Sequence, residues 1–247
     1  MEKVTSNYYE IDVKDSLAVV FFKNDVFELL CNRDNSGLLI KTLDNLKYDL
    51  KIKALLFLNE PECYGEKVYD RFLGKIMLPK SKSSDFEMPN FYDTKSRYRE
   101  INILNHFVEY IANYNKLCFT VLSGGIVTPF FGLSLATDIR YATPETYFSL
   151  AHNKYGLHPT GALPYFLTHQ IGYNKAIELM FSEKISSKEA LKLGLINKII
   201  PNENYLDSVF NDIKRITKFP NSTLRTTKQL FSFTRNSLSD YLKFDEA

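Results

Sequence analysis

The stretch that decides the fold is LSGGIVTPFFGLSLATDIRYATPETYFSLAHNKYGLHPTGALPYFL, residues 122–167. The apolar run CFTVL, which begins at Cys118, predicts a buried strand. The Ser-Gly-Gly triplet at 123–125 predicts a turn, and Pro129 suits the start of a helix because the N–H that proline lacks would be unbonded there. This order of strand, turn and helix aims backbone N–H groups into a crevice. Such a crevice suits a carbonyl oxygen that gains negative charge during a reaction.

Two parts of this region resemble the crotonase superfamily, the enoyl-CoA hydratases and isomerases. The first part is the run GLSLATDIRYAT, residues 132–143, with Gly124 before it and Phe148 and Gly156 after it. The second part is IGYNKAIELMFSEKISSKEALKLGLINKIIP, residues 171–201. Its matching positions are Gly172, Ala176, Ile185, Ala190, Gly194, Leu195 and Pro201. The resemblance implies an α/β fold with a ββα spiral core over residues 1–201. It also implies a helical region over residues 202–247 that serves trimer formation and covers CoA.

Composition limits the partners and the location that we expect. Lysine and arginine total 31 against 29 acidic residues, so a net charge of +2 gives no argument for nucleic acid or membrane binding. The three cysteines have no metal-ligand or redox spacing, which favours reduced thiols in a cytoplasmic protein without a metal. We expect no signal peptide at the start of the chain and no segment that spans a bilayer.

The first 60 residues, which precede this central stretch in the chain, predict two strands, one helix and a third strand in that order. Residues 8–22 predict two strands joined by a turn, and KALLFL at 53–58 predicts a buried third strand. The helix between them carries leucines on one face, and Asp34 or Ser36 is suited to cap it. A ββαβ order favours an α/β protein.

The rest of the chain predicts three helices and one long loop. Residues 100–115 predict an amphipathic helix, and residues 205–217 and 221–241 predict the C-terminal helices. The polar, aperiodic segment 78–97 predicts a loop, which the resemblance places over the acyl pocket.

The resemblance implies chemistry on an acyl thioester, with CoA or a carrier protein as part of the substrate and no separate cofactor. Two backbone N–H groups bind the thioester oxygen in that family. Carried over to this chain, the first donor is the N–H of Glu66, after Gly65. The second falls on Pro129, which has no N–H. The N–H of Phe130 or Thr128 then replaces it, or the site has a single donor.

By the same carry-over, the two glutamates with which hydratases split water fall on Gly132 and His152. We therefore expect negligible hydration. His152 is a candidate for proton transfer because histidine titrates near neutrality. His158 and Thr160 are the polar residues that follow it, and we include Thr160 among the candidate catalytic residues. A packing role for His152 stays open.

Three functions remain open at this point. The leading one is an isomerase or decarboxylase in which Glu66 N–H binds the thioester oxygen and His152 moves the proton. The second is a hydrolase that cleaves a C–C bond of a β-diketone; such enzymes share the histidine but carry an acid after Gly156 that this chain lacks. The third is a non-catalytic homologue that binds acyl ligands or partners, which Pro129 and Gly132 favour.

An early segment and the C-terminal region are expected to contact CoA and other subunits. CoA is expected to meet Lys228 and the segment at 22–25 with Lys23 and Asp25, since phosphates favour lysine and arginine partners. The C-terminal region has more aromatic residues than the surface of a lone domain needs, which together with the resemblance predicts a homotrimer or a dimer of trimers. These residues are Phe231, Phe233, Tyr241 and Phe244.

Overall fold

The computed structural model describes residues 3–23, 26–78, 89–201, 205–235 and 237–245, and the side chains of 244 and 245 are excepted. Asp25, the Phe244 side chain and residues 79–88 of the predicted loop lie outside the described residues. Residues 94–97 of that loop prediction are helical instead.

Two sheets make up the strands of the described chain. In chain order they are β1 (Val4–Thr5), β2 (Tyr9–Lys14), β3 (Leu17–Phe22), β4 (Ala54–Asn59), β5 (Leu117–Leu122), β6 (Gly125–Val127), β7 (Ile139–Ala142), β8 (Tyr147–Ser149), β9 (Lys184–Ser186) and β10 (Lys198–Ile199). The larger sheet has the order β1-β2-β3-β4-β5-β7-β10, antiparallel up to β3 and parallel from there on. The smaller has the order β6-β8-β9. The predicted α/β class is confirmed.

Helices surround the sheets. In chain order they are α1 (Val26–Leu30), α2 (Arg33–Tyr48), α3 (Glu66–Ile76), α4 (Thr94–Ala112), α5 (Thr128–Ala136), α6 (His152–Tyr155), α7 (Leu163–Ile171), α8 (Tyr173–Met180), α9 (Ser187–Lys192), α10 (Tyr205–Ile216), α11 (Asn221–Ser232) and α12 (Leu238–Asp245). A 3-10 turn at Phe233–Arg235 follows α11, so the helix predicted at 221–241 is interrupted. The predicted cap of α2 was wrong, because the side chain of Asn32 accepts the N–H groups of Asp34 and Asn35.

Both faces of the larger sheet are covered, which explains the continuous apolar run of β4. Leu55 and Phe57 point into the main core, while Leu56 and Leu58 point to the opposite face under α10. The C-terminal helix α10 therefore packs directly on the sheet.

The short strand β6 separates the turn at Gly124 from α5, where a direct passage from turn to helix was predicted. Gly124 has a φ of +76°, and a Cβ on Gly125 would lie 2.7 Å from the Tyr147 hydroxyl oxygen. All nine residues of α5 are buried, since α4, α7 and the smaller sheet pack around it. The start of α5 is thus held rigidly inside the protein.

Candidate active site

The first candidate donor lies where α3 begins. Gly65 caps α3 in an extended conformation, and Glu66 is its first residue. The N–H of Glu66 consequently has no acceptor within the helix, and the positive end of the helix dipole lies beside it. This placement suits binding of a developing oxyanion.

The carboxylate of Glu66 is held by two residues that the sequence did not reveal. Ser149 Oγ donates to Glu66 Oε1 at 2.9 Å, and Lys184 Nζ lies 3.0 Å from the same oxygen. Burial raises the pKa of Glu66, but the hydrogen bonds from Lys184 and Ser149 outweigh it and the pKa lies below its usual value. No local pattern signals this contact, since Ser149 lies 83 residues along the chain from Glu66.

His152 lies at the start of α6, only 2% exposed. Its Nδ1 is 2.6 Å from Thr128 Oγ1, in the first turn of α5. The Thr128 hydroxyl donates to the carbonyl oxygen of Ser149 at 3.4 Å, so its oxygen can accept a hydrogen bond from His152 Nδ1–H. In that tautomer Nε2 carries the lone pair, and Nε2 has no hydrogen-bond partner among the described residues.

Burial, assisted by the charge of His158, lowers the pKa of His152 to about 4. The imidazole is therefore neutral at pH 7 and can accept a proton. The helix that carries it is tied to α3, because the Tyr155 hydroxyl donates to Asp70. His158 is exposed and Thr160 is buried in the segment before α7.

Backbone fills the space where the first hydratase glutamate was expected. A Cβ on Gly132 would lie 2.0 Å from the carbonyl oxygen of Gly161, and a Cβ on Gly161 would lie 2.4 Å from that of Pro129. Gly161 also has a φ of +73°. The two segments pack backbone against backbone, so no carboxylate side chain fits at position 132.

The second candidate donor lies in the first turn of α5. Pro129 offers no N–H, whereas the N–H of Phe130 belongs to the first turn and has no acceptor within α5. The Phe130 ring is buried; it stacks on Tyr64 with centroids 4.5 Å apart and meets Phe27 edge-on at 4.7 Å. Phe130 can therefore offer a ligand only its backbone N–H, because its ring belongs to the core.

The two predicted lysine contacts with CoA lie in different environments. Lys23 Nζ is 2.7 Å from Glu10 and its side chain stays partly exposed. Lys228 is only 7% exposed, and its ammonium donates to Asp138 at 2.8 Å and to the carbonyl oxygen of Lys116 at 2.7 Å. The placement of Lys228 argues against phosphate binding, because its donors are committed inside the protein.

The described ranges lack two features, a metal-ligating cluster and a membrane-spanning helix. No group of three or more His, Cys, Asp or Glu residues there is arranged to hold a metal ion. No helix in the same part of the chain is both long and apolar enough to cross a membrane.

Comparison with known proteins identifies the family of this chain. The family model described as Enoyl-CoA hydratase/isomerase matches residues 91–247, more than half of the chain. The chain belongs to the enoyl-CoA hydratase/isomerase family. The spiral core predicted from the crotonase resemblance has a solved counterpart in an enoyl-CoA hydratase from Bacillus halodurans. The TM-score is 0.75 at 21% identity, and the match covers 97% of this chain and 91% of that one.

The curated relatives of this family member include proteins named as hydratases and proteins named as isomerases. A probable enoyl-CoA hydratase of Mycobacterium tuberculosis is 27% identical over 133 residues, which is 53% of this chain and 47% of the relative. Enoyl-CoA delta isomerase 2 of Rattus norvegicus is 27% identical over 132 residues, 52% of this chain and 33% of the relative. The family member therefore spans about half the length, or less, of these relatives.

Proposed function

We propose that this family member binds an acyl thioester, carried by CoA or a carrier protein, and transfers a proton on it as an isomerase or decarboxylase. The observation that supports this is the neutral His152, placed by Thr128 beside the first turn of α5. An imidazole with a pKa of about 4 is about as basic as an ordinary glutamate, whose pKa is about 4.3. His152 can thus replace a carboxylate base.

The proposed steps use groups of this chain only. The N–H of Glu66 binds the thioester oxygen, and the positive end of α3 stabilises the charge that this oxygen gains. In an isomerase, Nε2 of His152 takes a proton from the carbon next to the carbonyl and returns it to a carbon further along the acyl chain. In a decarboxylase, loss of CO₂ gives the same enolate, which takes up one proton. Hydration is not proposed, because His152 stands at one of the two glutamate positions of hydratases and Gly132 leaves no place for a carboxylate at the other.

A non-catalytic acyl-binding homologue is the second candidate. The contact of Gly161 with Pro129 and Gly132 supports it, because this contact narrows the region between α5 and the loop before α7. The β-diketone hydrolase hypothesis has no such support, since residues 157–162 carry no acid.

Deuterium exchange separates these functions without knowledge of the final product. A thermal-shift screen first selects an acyl-CoA that the protein binds, and the bound acyl-CoA is then incubated in D₂O. A proton-transfer enzyme incorporates deuterium beside the carbonyl, which mass spectrometry detects. We expect His152→Gln to slow exchange by about a hundred- to ten-thousandfold while binding is retained. The control is His106→Gln, at an exposed histidine on α4.

The remaining outcomes each contradict part of the proposal. Binding without exchange in the wild-type protein supports the non-catalytic homologue. Equal exchange in wild type and His152→Gln makes His152 a packing residue. Rapid hydration of crotonyl-CoA, about one turnover per second or more, contradicts the exclusion of hydratase chemistry.

A further inference from the structure

A groove opens between α2 and α4, on elements that supply none of the candidate catalytic residues. The two helices touch near their C-terminal ends, where the Tyr110 hydroxyl donates to Asp44 and the Tyr114 hydroxyl donates to the carbonyl oxygen of Leu43. Their N-terminal halves line an open groove of about 980 Å³. We call it the α2–α4 groove.

Basic side chains line both walls of the α2–α4 groove. They are Arg33 and Lys41 on α2, and Lys95 and Arg99 on α4. All four are exposed, and none has an ion-pair partner among the described residues. Asp34 is the one acid among the described lining residues. Asp93, which caps α4, lies outside the lining but interacts electrostatically with Arg99. The groove therefore carries a net positive charge.

The helical spacing arranges these charges in rows. Arg33 and Lys41 are two turns apart on α2, and Lys95 and Arg99 are one turn apart on α4, with His106 further along the same lining. At 1.5 Å per residue the rows extend about 12 Å on α2 and about 16 Å from Lys95 to His106. This length matches about three turns of a third helix.

The lining also carries apolar side chains that are open to solvent. Leu38 is 62% exposed and Tyr98 is 46% exposed, while Ile103 is half-buried. Gly37 adds no side chain, and a Cβ there would meet nothing within 4 Å. A groove that carries both exposed apolar side chains and cations is complementary to a helix with an apolar stripe and acidic flanks.

We infer that the α2–α4 groove binds an acidic amphipathic helix of a partner protein. Helix-in-groove recognition places apolar anchors on the floor and uses charges at the rim for orientation and rate of association. Nucleic acid fits less well, because a phosphate backbone would leave Leu38 and Ile103 without apolar partners. The inference is independent of acyl-thioester chemistry, and its test needs no turnover.

The test uses a synthetic helical peptide of about five turns, with leucines in one stripe and glutamates on both flanks. A scrambled peptide of equal composition lacks the stripe. We expect the full chain to bind the designed peptide at least about tenfold more tightly than the scrambled one, with affinity that falls as salt rises. The double variant Lys95→Glu/Arg99→Glu should weaken binding about tenfold or more.

The matched control is Lys188→Glu/Lys192→Glu, which reverses two exposed lysines one turn apart on α9. We expect its affinity to stay within about twofold of wild type, and the melting temperatures of both double variants to stay close to wild type. Three results would overturn the inference. They are equal affinity for the scrambled peptide, equal weakening in the α9 control, and tighter binding of a single-stranded oligonucleotide that displaces the peptide.

Discussion

Gly132 shows at the scale of one residue why the hydratase reaction is not expected. Its missing side chain is matched by the carbonyl of Gly161, which occupies the space where a Cβ would lie. We expect Gly132→Ala to lower the free energy of unfolding by about 1–3 kcal/mol, as overpacking of a tight core does. Gly74→Ala on α3 is the control, because nothing lies within 4 Å of a Cβ there, and it should raise stability by up to about 1 kcal/mol. Urea denaturation measures both variants. A Gly132→Glu protein that is stable and hydrates crotonyl-CoA would contradict this account.

His152 gives a pH dependence whose direction follows from its lowered pKa. The folded pKa is about 4, below the ordinary value of about 6.5 for an unfolded chain. The free energy of unfolding is therefore unaffected by protonation of His152 above pH 6.5 and decreases as pH falls towards 4, because only the unfolded chain takes up the proton in that range. The loss reaches about 3 kcal/mol at most.

The His152→Gln variant has no group that titrates at this position. Stability measured by urea denaturation at several pH values should therefore fall less steeply between pH 6.5 and 4 than in wild type. Parallel pH profiles for the two proteins would show that the imidazole is not desolvated in solution.

The sequence could nominate residues of the site but could not predict their partners. It predicted a donor N–H at Glu66, after Gly65, and a proton-transfer role for His152. It could not predict that Thr128 contacts His152, because the two lie 24 residues apart and meet only through the fold. It also predicted that Lys228 contacts CoA, since a lysine in a sequence does not reveal the partly exposed Asp138 that lies beside it.

At the scale of the element, the start of α5 gives a gain-of-function prediction. Pro129→Ala would add an N–H at the position where the family's second donor was expected. Loss of one such donor typically costs about a hundred- to a thousandfold in rate, so its addition should speed deuterium exchange by up to about a hundredfold. The matched control is Pro164→Ala, which changes a proline at the same position of α7. Unchanged exchange with unchanged acyl-CoA binding would show that this N–H does not reach the thioester oxygen.

Apolar runs predicted the strands well, whereas helix caps formed by side chains and short elements were harder to predict from the sequence. The run at β4 was predicted within one residue at each end, because a strand buried on both faces is apolar throughout. Helix α4 begins at Thr94 rather than at residue 100, since Asp93 caps it through bonds to the N–H groups of Lys95 and Ser96. The break after α11 has no glycine or proline to mark it.

For the whole molecule we expect a homotrimer or a dimer of trimers. Leu230, Phe231 and Phe233 lie together near the end of α11 and are each more than 60% exposed, which is unusual for a surface that faces only water. Light scattering at micromolar concentration should give the mass of three or six chains, and Phe231→Ser/Phe233→Ser should lower it. Phe181→Ser at the end of α8 is the control. A wild-type protein with the mass of one chain would contradict this prediction.

The C-terminal helices are joined to the sheet by the ion pair between Lys228 and Asp138. We expect Lys228→Met to lower the free energy of unfolding by about 1–3 kcal/mol, because the partly exposed carboxylate of Asp138 loses its charged partner and keeps only the N–H of Cys118. Lys214→Met, which removes an exposed pair with Asp15, should cost less than about 1 kcal/mol. Acyl-CoA affinity of the folded Lys228→Met protein should not change. A loss of that affinity without a loss of stability would restore Lys228 as a CoA contact.

The same ion pair bears on the order in which the protein is made. Asp138 leaves the ribosome 90 residues before Lys228, which at about 5–20 residues per second is a delay of about 5–20 seconds. During that time its carboxylate can accept the N–H of Cys118 and feels the charge of Arg140, but it lacks the direct ion pair with Lys228. We therefore expect the surroundings of Asp138 to be completed only after α11 has been synthesised, although every strand of the larger sheet precedes that helix in the chain.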